Sequence, residues 1–441
     1  MARLPIGTLA LAFVLLACSS GEHGASPPPD VLIVLADDLD WAELDASPTP
    51  SLDELAREGV TLRQFIGMPV CSVARHALLH GRWPRRSGVG GNVNSHAPPS
   101  AANPTPPAEL ISLPKLLKAR GYHTALVGKW HLGQASAEGG SDPLLSAPRA
   151  HGFDRWLAGT PANLLAREGK GYDEWVRVDD GVQRIEHEYA TRAMRDAALA
   201  WWQATPSPRF LLVALCAPHP PMHLAPADLV PDGFHVVEGQ RNQLHSMIGT
   251  VDHVVGRLRA ASDPARTLFL FLADNGVGPA IDDAHESKGT TAERGILVPF
   301  VAAGPGLARG AACNEPVSIV DVLATVAEAT GTEVARGGPG AEDSRSFLGA
   351  LVSPASWRAP RPWVMAERYD ARADDFALRT ARWKLRRLDG EESLLDLVHD
   401  PGEARPMRAG GERDAGLEGE ARAALAELRR ILADEVPQRA N

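Results

Sequence analysis

At 441 residues, the chain is long enough for one large domain with a sizeable core and a smaller appendage. Its 44% apolar and 23% charged content is that of a globular protein and excludes a disordered chain. A net charge of -10 argues against nucleic acid as a partner, so an anionic substrate needs a local basic pocket within an acidic whole.

Arg3 gives the N-terminus a positive start, and Leu9 to Ala17 is an apolar run too short to span a bilayer as a mature anchor. Leu15-Leu16-Ala17-Cys18 resembles a bacterial lipobox with Cys18 as the lipidated residue; an ordinary secretory signal is the alternative. Both predict export, to the periplasm or to an outer-membrane anchor, with 1–18 as the leader and the Pro-rich 19–29 as a tether.

Val31 to Ala36 reads as a buried parallel strand that stops at Asp37-Asp38. Paired carboxylates at such a strand end sit where open α/β sheets place ligands, and they repel unless a cation or hydrogen bonds hold them. Hard oxygen ligands suit Ca²⁺ or Mg²⁺; a solvated Asx turn is the plainer reading. Ser51 and Glu54 have the spacing of a capping box, and Val60 to Ile66 is extended. Cys71 to His80 is a helix closed by Gly81 and Pro84. Arg75 lies one turn after Cys71, so thiol, helix N-terminus and guanidinium together predict a reactive site. A lone cysteine here also fits a structural role on an amphipathic helix.

Residues 88–107 form a long surface loop, and Leu113 to Arg120 a helix. A strand from Tyr122 to Val127 runs into Gly128-Lys129-Trp130-His131. If the chain stays extended there, Lys129 and His131 point the same way, as an anion site with a proton carrier. Residues 134–190 are loop-rich, with Trp156 and Trp175 either walling a cleft or packing. A third buried strand, Phe210 to Cys216, leads to His219, stiffened by flanking prolines and suited to general acid work or to a structural bond. The strand Thr267 to Ala273 ends at Asp274-Asn275, which with Asp37 and Asp38 gives a hard-metal set drawn from two strands. Lys288 follows an acidic polar loop. Cys216, at a strand end, and Cys313, in a loop, are free thiols by default, their pairing left open. After a Gly-rich stretch, short alternating segments from Trp363 to Leu397 suit a small antiparallel sheet, and Leu417 to Val436 a final helix.

Cys71-Ser72-Val73-Ala74-Arg75, with its Gly81-Arg82 tail, resembles the sulfatase signature, Val73 standing where Pro or Ala is usual and His80 where Thr is usual. Gly128-Lys129-Trp130-His131-Leu132-Gly133 is a second close match, and His151-Gly152-Phe153-Asp154, His219, Lys288, Glu293 to Pro299, Arg382 to Leu385 and Asp400 to Glu403 follow in the family's order. Arg294 and Leu297 depart from the family run at positions that shape backbone and packing.

This resemblance implies an alkaline-phosphatase-like α/β sandwich with a mostly parallel central sheet and a smaller C-terminal antiparallel sheet plus helix. The catalytic domain would span 30–345 and the C-terminal subdomain 346–441. It also implies that a formylglycine-generating maturase oxidises Cys71 to Cα-formylglycine, and that Asp37, Asp38, Asp274, Asn275 and residue 71 hold one Ca²⁺. Arg75, Lys129 and Lys288 would neutralise the sulfuryl group, His219 protonate the leaving alcohol, and His131 take a proton to release sulfate. The implied activity is hydrolysis of an aryl or carbohydrate sulfate ester. The alternatives are a phosphomonoester or phosphodiester hydrolase of the same superfamily, and a non-catalytic sulfated-glycan-binding lipoprotein in which Cys71 is not converted.

Overall fold

A computed structural model describes residues 27–95, 104–134, 143–164, 171–232, 239–279, 286–334, 340–370, 374–410 and 416–438, with Phe234, Ile281 and Asp414. The leader, Cys18 and most of the tether lie outside the described residues. No helix among those described is long and apolar enough to cross a membrane.

The apolar runs at 30–36 and 267–273 are buried along their whole length, so they form inner strands of a sheet covered on both faces. The main sheet runs in the order Ala311–Cys313, Val60–Leu62, Phe300–Ala303, Thr267–Ala273, Asp30–Ala36, Arg209–Ala214, His123–Lys129, Arg155–Thr160, Trp175–Asp179, Val182–Glu186. Its five central strands, from Thr267–Ala273 to Arg155–Thr160, are parallel. Helices Trp41–Asp45, Pro50–Glu58, Ala190–Ala204 and Gln240–Ala261 pack as one group; Cys71–His80, Leu113–Ala119, Val322–Ala329 and Leu348–Val352 pack as another. This is the expected sandwich. The register aligns the strand ends: Ala36 pairs with Ala273, Leu35 with Ala214, and Ala214 with Gly128. Every residue that follows these strands therefore emerges at one edge.

A second sheet of five antiparallel strands, Val364–Tyr369, Asp374–Arg379, Trp383–Leu388, Glu391–Asp396 and Met407–Ala409, carries the helix Gly419–Asp434 against it. Residues just before it belong with the large domain in packing: Phe347 stacks edge-on with Phe65 and Phe300.

Several local expectations need correction. Ser51 and Glu54 make no capping box; the helix begins at Pro50, and the Ser51 and Leu52 amides donate to the Asp252 carboxylate at 3.2 and 2.8 Å. A neighbouring helix thus caps this one. Among the described residues of 134–190, the loops are joined by the helix Pro143–Ala150 and three strands, two of them an edge hairpin. Trp156 and Trp175 are buried, their indole N–H groups donating to Gly128 O and Glu188 O, so both pack, and Trp156 also lines a pocket with Arg149, Phe153 and Asp180. Cys313 lies on a strand, not in a loop. Cys71, Cys216 and Cys313 are all free and buried.

Candidate active site

Cys71 is the first residue of its helix, and Val70, the residue before it, is extended. Val73 is third, where the backbone N–H has no partner within the helix, so valine or proline fits equally in the fold. Asn92 Oδ1 accepts the Ser72 N–H at 3.2 Å, and the Ser72 hydroxyl donates to His131 O at 2.7 Å. The far end closes on Gly81 in the left-handed conformation, where Cβ would meet Ser344 and Ala341.

Cys71 Sγ lies 3.1 Å from Asp37 Oδ1 and 3.8 Å from Asp38 Oδ1. Around it converge Arg75, whose Nη2 is 3.1 Å from Asp274 Oδ2 and whose Nη1 donates to Lys129 O at 2.9 Å; Lys129, paired with Asp37 Oδ2; and Lys288, 2.6 and 2.9 Å from the two oxygens of Asp38. His219 Nε2 stands 3.7 Å from Asp38 Oδ2. His131 is tied in beside them by its carbonyl, which accepts the hydroxyl of Ser72, the residue after Cys71. All the residues predicted for the site meet in this one cluster at the sheet edge.

The thiol is not the activated nucleophile that its helix position suggests. Burial, reinforced by the Asp37 charge, pushes Cys71 well above the usual thiol range despite Lys129 and Lys288. Arg75 is spent on Asp274 and a carbonyl, so it does not activate the sulfur. Burial would also raise Asp37, but Lys129, His219, Arg75 and Lys288 outweigh it and hold that carboxyl well below its ordinary range. Asp274 is raised to about 7 by burial and the Asp37 charge.

Three buried carboxylates face three cations, so the cluster is formally neutral by itself. Carboxylate oxygens of Asp37, Asp38 and Asp274 and the Cys71 sulfur lie within 4.8 Å of one another. Asn275 donates its amide to Asp38 Oδ1 at 2.7 Å and leaves a buried Oδ1 without a hydrogen bond. Hard oxygens in this number, with one amide oxygen unused, fit Ca²⁺.

His131 does not continue the strand, as expected above. The strand ends at Lys129, and His131 has φ +60°, fixed by Trp130 N–H to Thr160 O and His131 N–H to Pro161 O. Asp38 is also left-handed, with φ 69°. Two non-glycine residues in that region within one site are backbone strain held by their surroundings. Burial, with Lys129 and Arg75, pushes His131 well below the usual imidazole range, so it is neutral, and its Nδ1 is buried without a hydrogen bond. His219 is lowered as well, by burial against the pull of Asp38. Its Nδ1 lies 2.7 Å from Pro220 O, which turns Nε2 toward the cluster. His223 stacks on Tyr172 and meets the Tyr189 hydroxyl, away from the carboxylates.

Sequence reasoning missed Asn92 and Tyr172. The Tyr172 hydroxyl lies 2.7 and 2.8 Å from the carbonyls of Cys216 and His219, pinning the histidine loop. Behind the Cys71 helix, His76 and His80 stack at 4.9 Å and His80 meets His151 at 5.1 Å. His80, which stands where Thr is usual, bonds Ile111 O through Nδ1 at 2.8 Å. Arg294, which departs from the family run, pairs with Asp40 and Glu43 at 3.2 Å.

The sulfatase family profile matches residues 29–332. The chain belongs to the sulfatase family. Among curated sulfatases, N-acetylgalactosamine-6-sulfatase of Sus scrofa is 31% identical over 365 residues, covering 73% of this chain and 66% of that one. Arylsulfatase A of Bos taurus is 29% identical over 442 residues, covering 89% and 81%. The chain thus spans just under two thirds of the length of the first of these relatives. Ps i-CgsB, solved in complex with k-i-k-neocarrahexaose, superposes with a TM-score of 0.73 at 22% identity, covering 91% of this chain and 92% of that one, and so shares the sulfatase fold.

Proposed function

We propose that this sulfatase-family protein is a sulfuric ester hydrolase, releasing inorganic sulfate and an alcohol from an aryl or carbohydrate sulfate ester. The observation that carries the reading is the meeting of Cys71 with Asp37, Asp38 and Asp274 on one side and Arg75, Lys129 and Lys288 on the other. In this reading Sγ of Cys71 stands where an oxygen of formylglycine would be, and the thiol, held protonated, is the precursor that a maturase oxidises. The modified residue would supply a hydrated aldehyde as oxygen nucleophile; Ca²⁺, held by Asp37, Asp38, Asp274, Asn275 and residue 71, would supply Lewis acidity.

The chain's own residues do the rest. With such a cation held, the formally neutral cluster would become positive, as an anionic sulfate ester requires. Lys129 and Lys288 then face the sulfuryl oxygens, and Arg75 holds Asp274 and the turn at Lys129 in place. His219, its Nδ1–H donated to the Pro220 carbonyl, turns Nε2 toward the departing oxygen and would act as its acid in the imidazolium form, which the Asp38 carboxylate 3.7 Å away favours. His131, neutral and with a free ring nitrogen, is the base for the second step.

A carbohydrate sulfate is the favoured substrate, because Ps i-CgsB was solved with an oligosaccharide and N-acetylgalactosamine-6-sulfatase acts on a sugar sulfate by its name. Export, lipidation of Cys18 and the division at 345/346 belong to the same proposal, resting on the lipobox-like run and the separate C-terminal sheet. Mass spectrometry across the Cys71 peptide, after expression with a maturase, should find aldehyde in place of thiol. A panel of aryl and sugar sulfates should then release sulfate faster than the phosphate isosteres release phosphate. An intact thiol with no sulfate release would remove the nucleophile and the reading with it.

A further inference from the structure

We propose that Lys384 and Glu403 of the C-terminal subdomain are positioning residues for Lys288, acting through Glu293; the inference rests on Lys288 being an active-site cation. Glu293 opens the short helix Glu293–Ile296 just after the Lys288 loop. Its carboxylate meets Arg379 Nη1 at 2.5 Å and Lys384 Nζ at 3.0 Å, both from the C-terminal sheet. Lys384 Nζ is also 2.7 Å from Glu403 Oε1, while Glu403 Oε2 accepts the Glu293 N–H at 3.0 Å and meets Arg386 at 3.0 Å. Lys384 is fully buried, and Glu293, Arg379 and Glu403 are buried with it.

The helix so held lies flush on the lysine loop. A Cβ at Gly295 would come within 2.5 Å of Thr290 O and 2.7 Å of Ser287 O, so the contact admits no side chain. Gly289 N–H donates to Pro69 O at 2.8 Å, two residues before Cys71, and Arg368 of the same C-terminal sheet donates to Gly289 O at 3.1 Å. Arg379 also reaches Gln64, ahead of the Cys71 helix, at 2.8 Å. The lysine loop is thus clamped between the cysteine segment and the C-terminal sheet.

Adhesion between two domains needs no buried charge; apolar residues give it at lower desolvation cost. What a charged network adds is direction. Each carboxylate oxygen fixes one partner, so a shift of Glu293 along its helix would strand Lys384 between mismatched charges. Removing the Lys384 charge leaves Glu293 and Glu403 as buried like charges with one cation fewer.

The test uses the full chain with Lys384→Met, Glu403→Gln as a second variant should the first not fold, and Lys384→Arg as the conservative replacement. Hydrogen exchange should speed about tenfold for amides 287–293, with strands 30–36 and 267–273 unchanged. For a sulfate ester, kcat should fall about tenfold to hundredfold while KM moves less than about threefold, and Lys384→Arg should restore both. Unchanged exchange at 287–293 in both charge-deleted variants overturns the proposal, as does loosened exchange with unchanged kcat. Should the unmutated protein release no sulfate, loosened exchange that Lys384→Arg reverses still supports the clamp, and it is the hydrolase reading that falls.

Discussion

Lys288 Nζ lies 2.6 and 2.9 Å from the two carboxylate oxygens of Asp38, and Lys129 pairs with Oδ2 of Asp37. The oxygens that these ammonium groups occupy are those a calcium ion would need. In the proposed calcium-bound form both lysines would give up these oxygens and be left to face an incoming anion, which would link the metal to substrate charge. Calcium should stabilise the fold by about 2.7 kcal/mol at a hundredfold excess over Kd, read as a raised melting temperature. Asp274→Asn should remove most of that gain. Scans in chelator and in calcium are the measurement, and equal midpoints for the unmutated protein would sink the calcium site.

The Cys71 thiol, buried and pushed up in pKa, should resist alkylation in the folded protein. Iodoacetamide at neutral pH should label the unmodified form of Cys71 only after denaturation. Rapid labelling of native protein, read by peptide mass spectrometry, would show a reactive thiolate and contradict the burial argument.

Tyr172→Phe deletes the hydroxyl that meets the carbonyls of Cys216 and His219 while keeping the ring stack with Tyr189. The part-buried His219 carbonyl loses this partner while the Cys216 carbonyl keeps the His219 N–H, at a cost of about 1 kcal/mol. Because the loop carries His219, kcat for sulfate ester hydrolysis should fall about tenfold, with KM changing less. A variant with lowered stability but unaltered kcat would assign Tyr172 to the fold alone.

The strand ends were legible because each apolar run stops abruptly at its polar residue. Asp37, Lys129 and Asp274 mark the edge of the sheet in the sequence itself. The aligned register then makes sequence-distant residues neighbours. What was illegible acts across the fold. Tyr172 serves a loop more than forty residues on, and Lys384 meets Glu293 ninety-one residues away. The hairpin at 175–186 is an edge ribbon with exposed Val176, Val182 and Ile185, so it lacks the buried-strand pattern and reads as loop. His131 leaves the extended conformation because the Thr160 and Pro161 carbonyls capture its turn, a constraint local periodicity does not carry.

Asp252 caps a helix that its own sequence leaves uncapped, accepting the Ser51 and Leu52 amides. Asp252→Ala should destabilise the protein by about 1–2 kcal/mol. Asp252→Asn should cost less, since its amide oxygen can still accept one bond. Urea midpoints for the two variants would show the difference, and equal losses would count against the capping role.

The histidines behind the Cys71 helix set the acid limit of the fold. Burial, with His80 beside it, pushes His76 well below the usual range; burial lowers His80 to about 4 against its bond to Ile111; burial and His80 lower His151 to about 3. The unfolded chain takes up protons near pH 6.5, whereas these folded imidazoles stay neutral far below it. Stability contributed by the neutral trio is therefore present above about pH 6.5 and is lost as pH falls toward about 4, by up to about 1.4 kcal/mol per pH unit for each group. Both ring nitrogens of His76 are buried without a hydrogen bond, so His76→Leu removes one titrating group and leaves no new polar atom unpaired. Its stability should fall less steeply between about pH 6 and 4, by one proton's share of the slope. Denaturant midpoints of both proteins across that range decide the matter: parallel curves would mean that His76 titrates alike in the folded and unfolded chains.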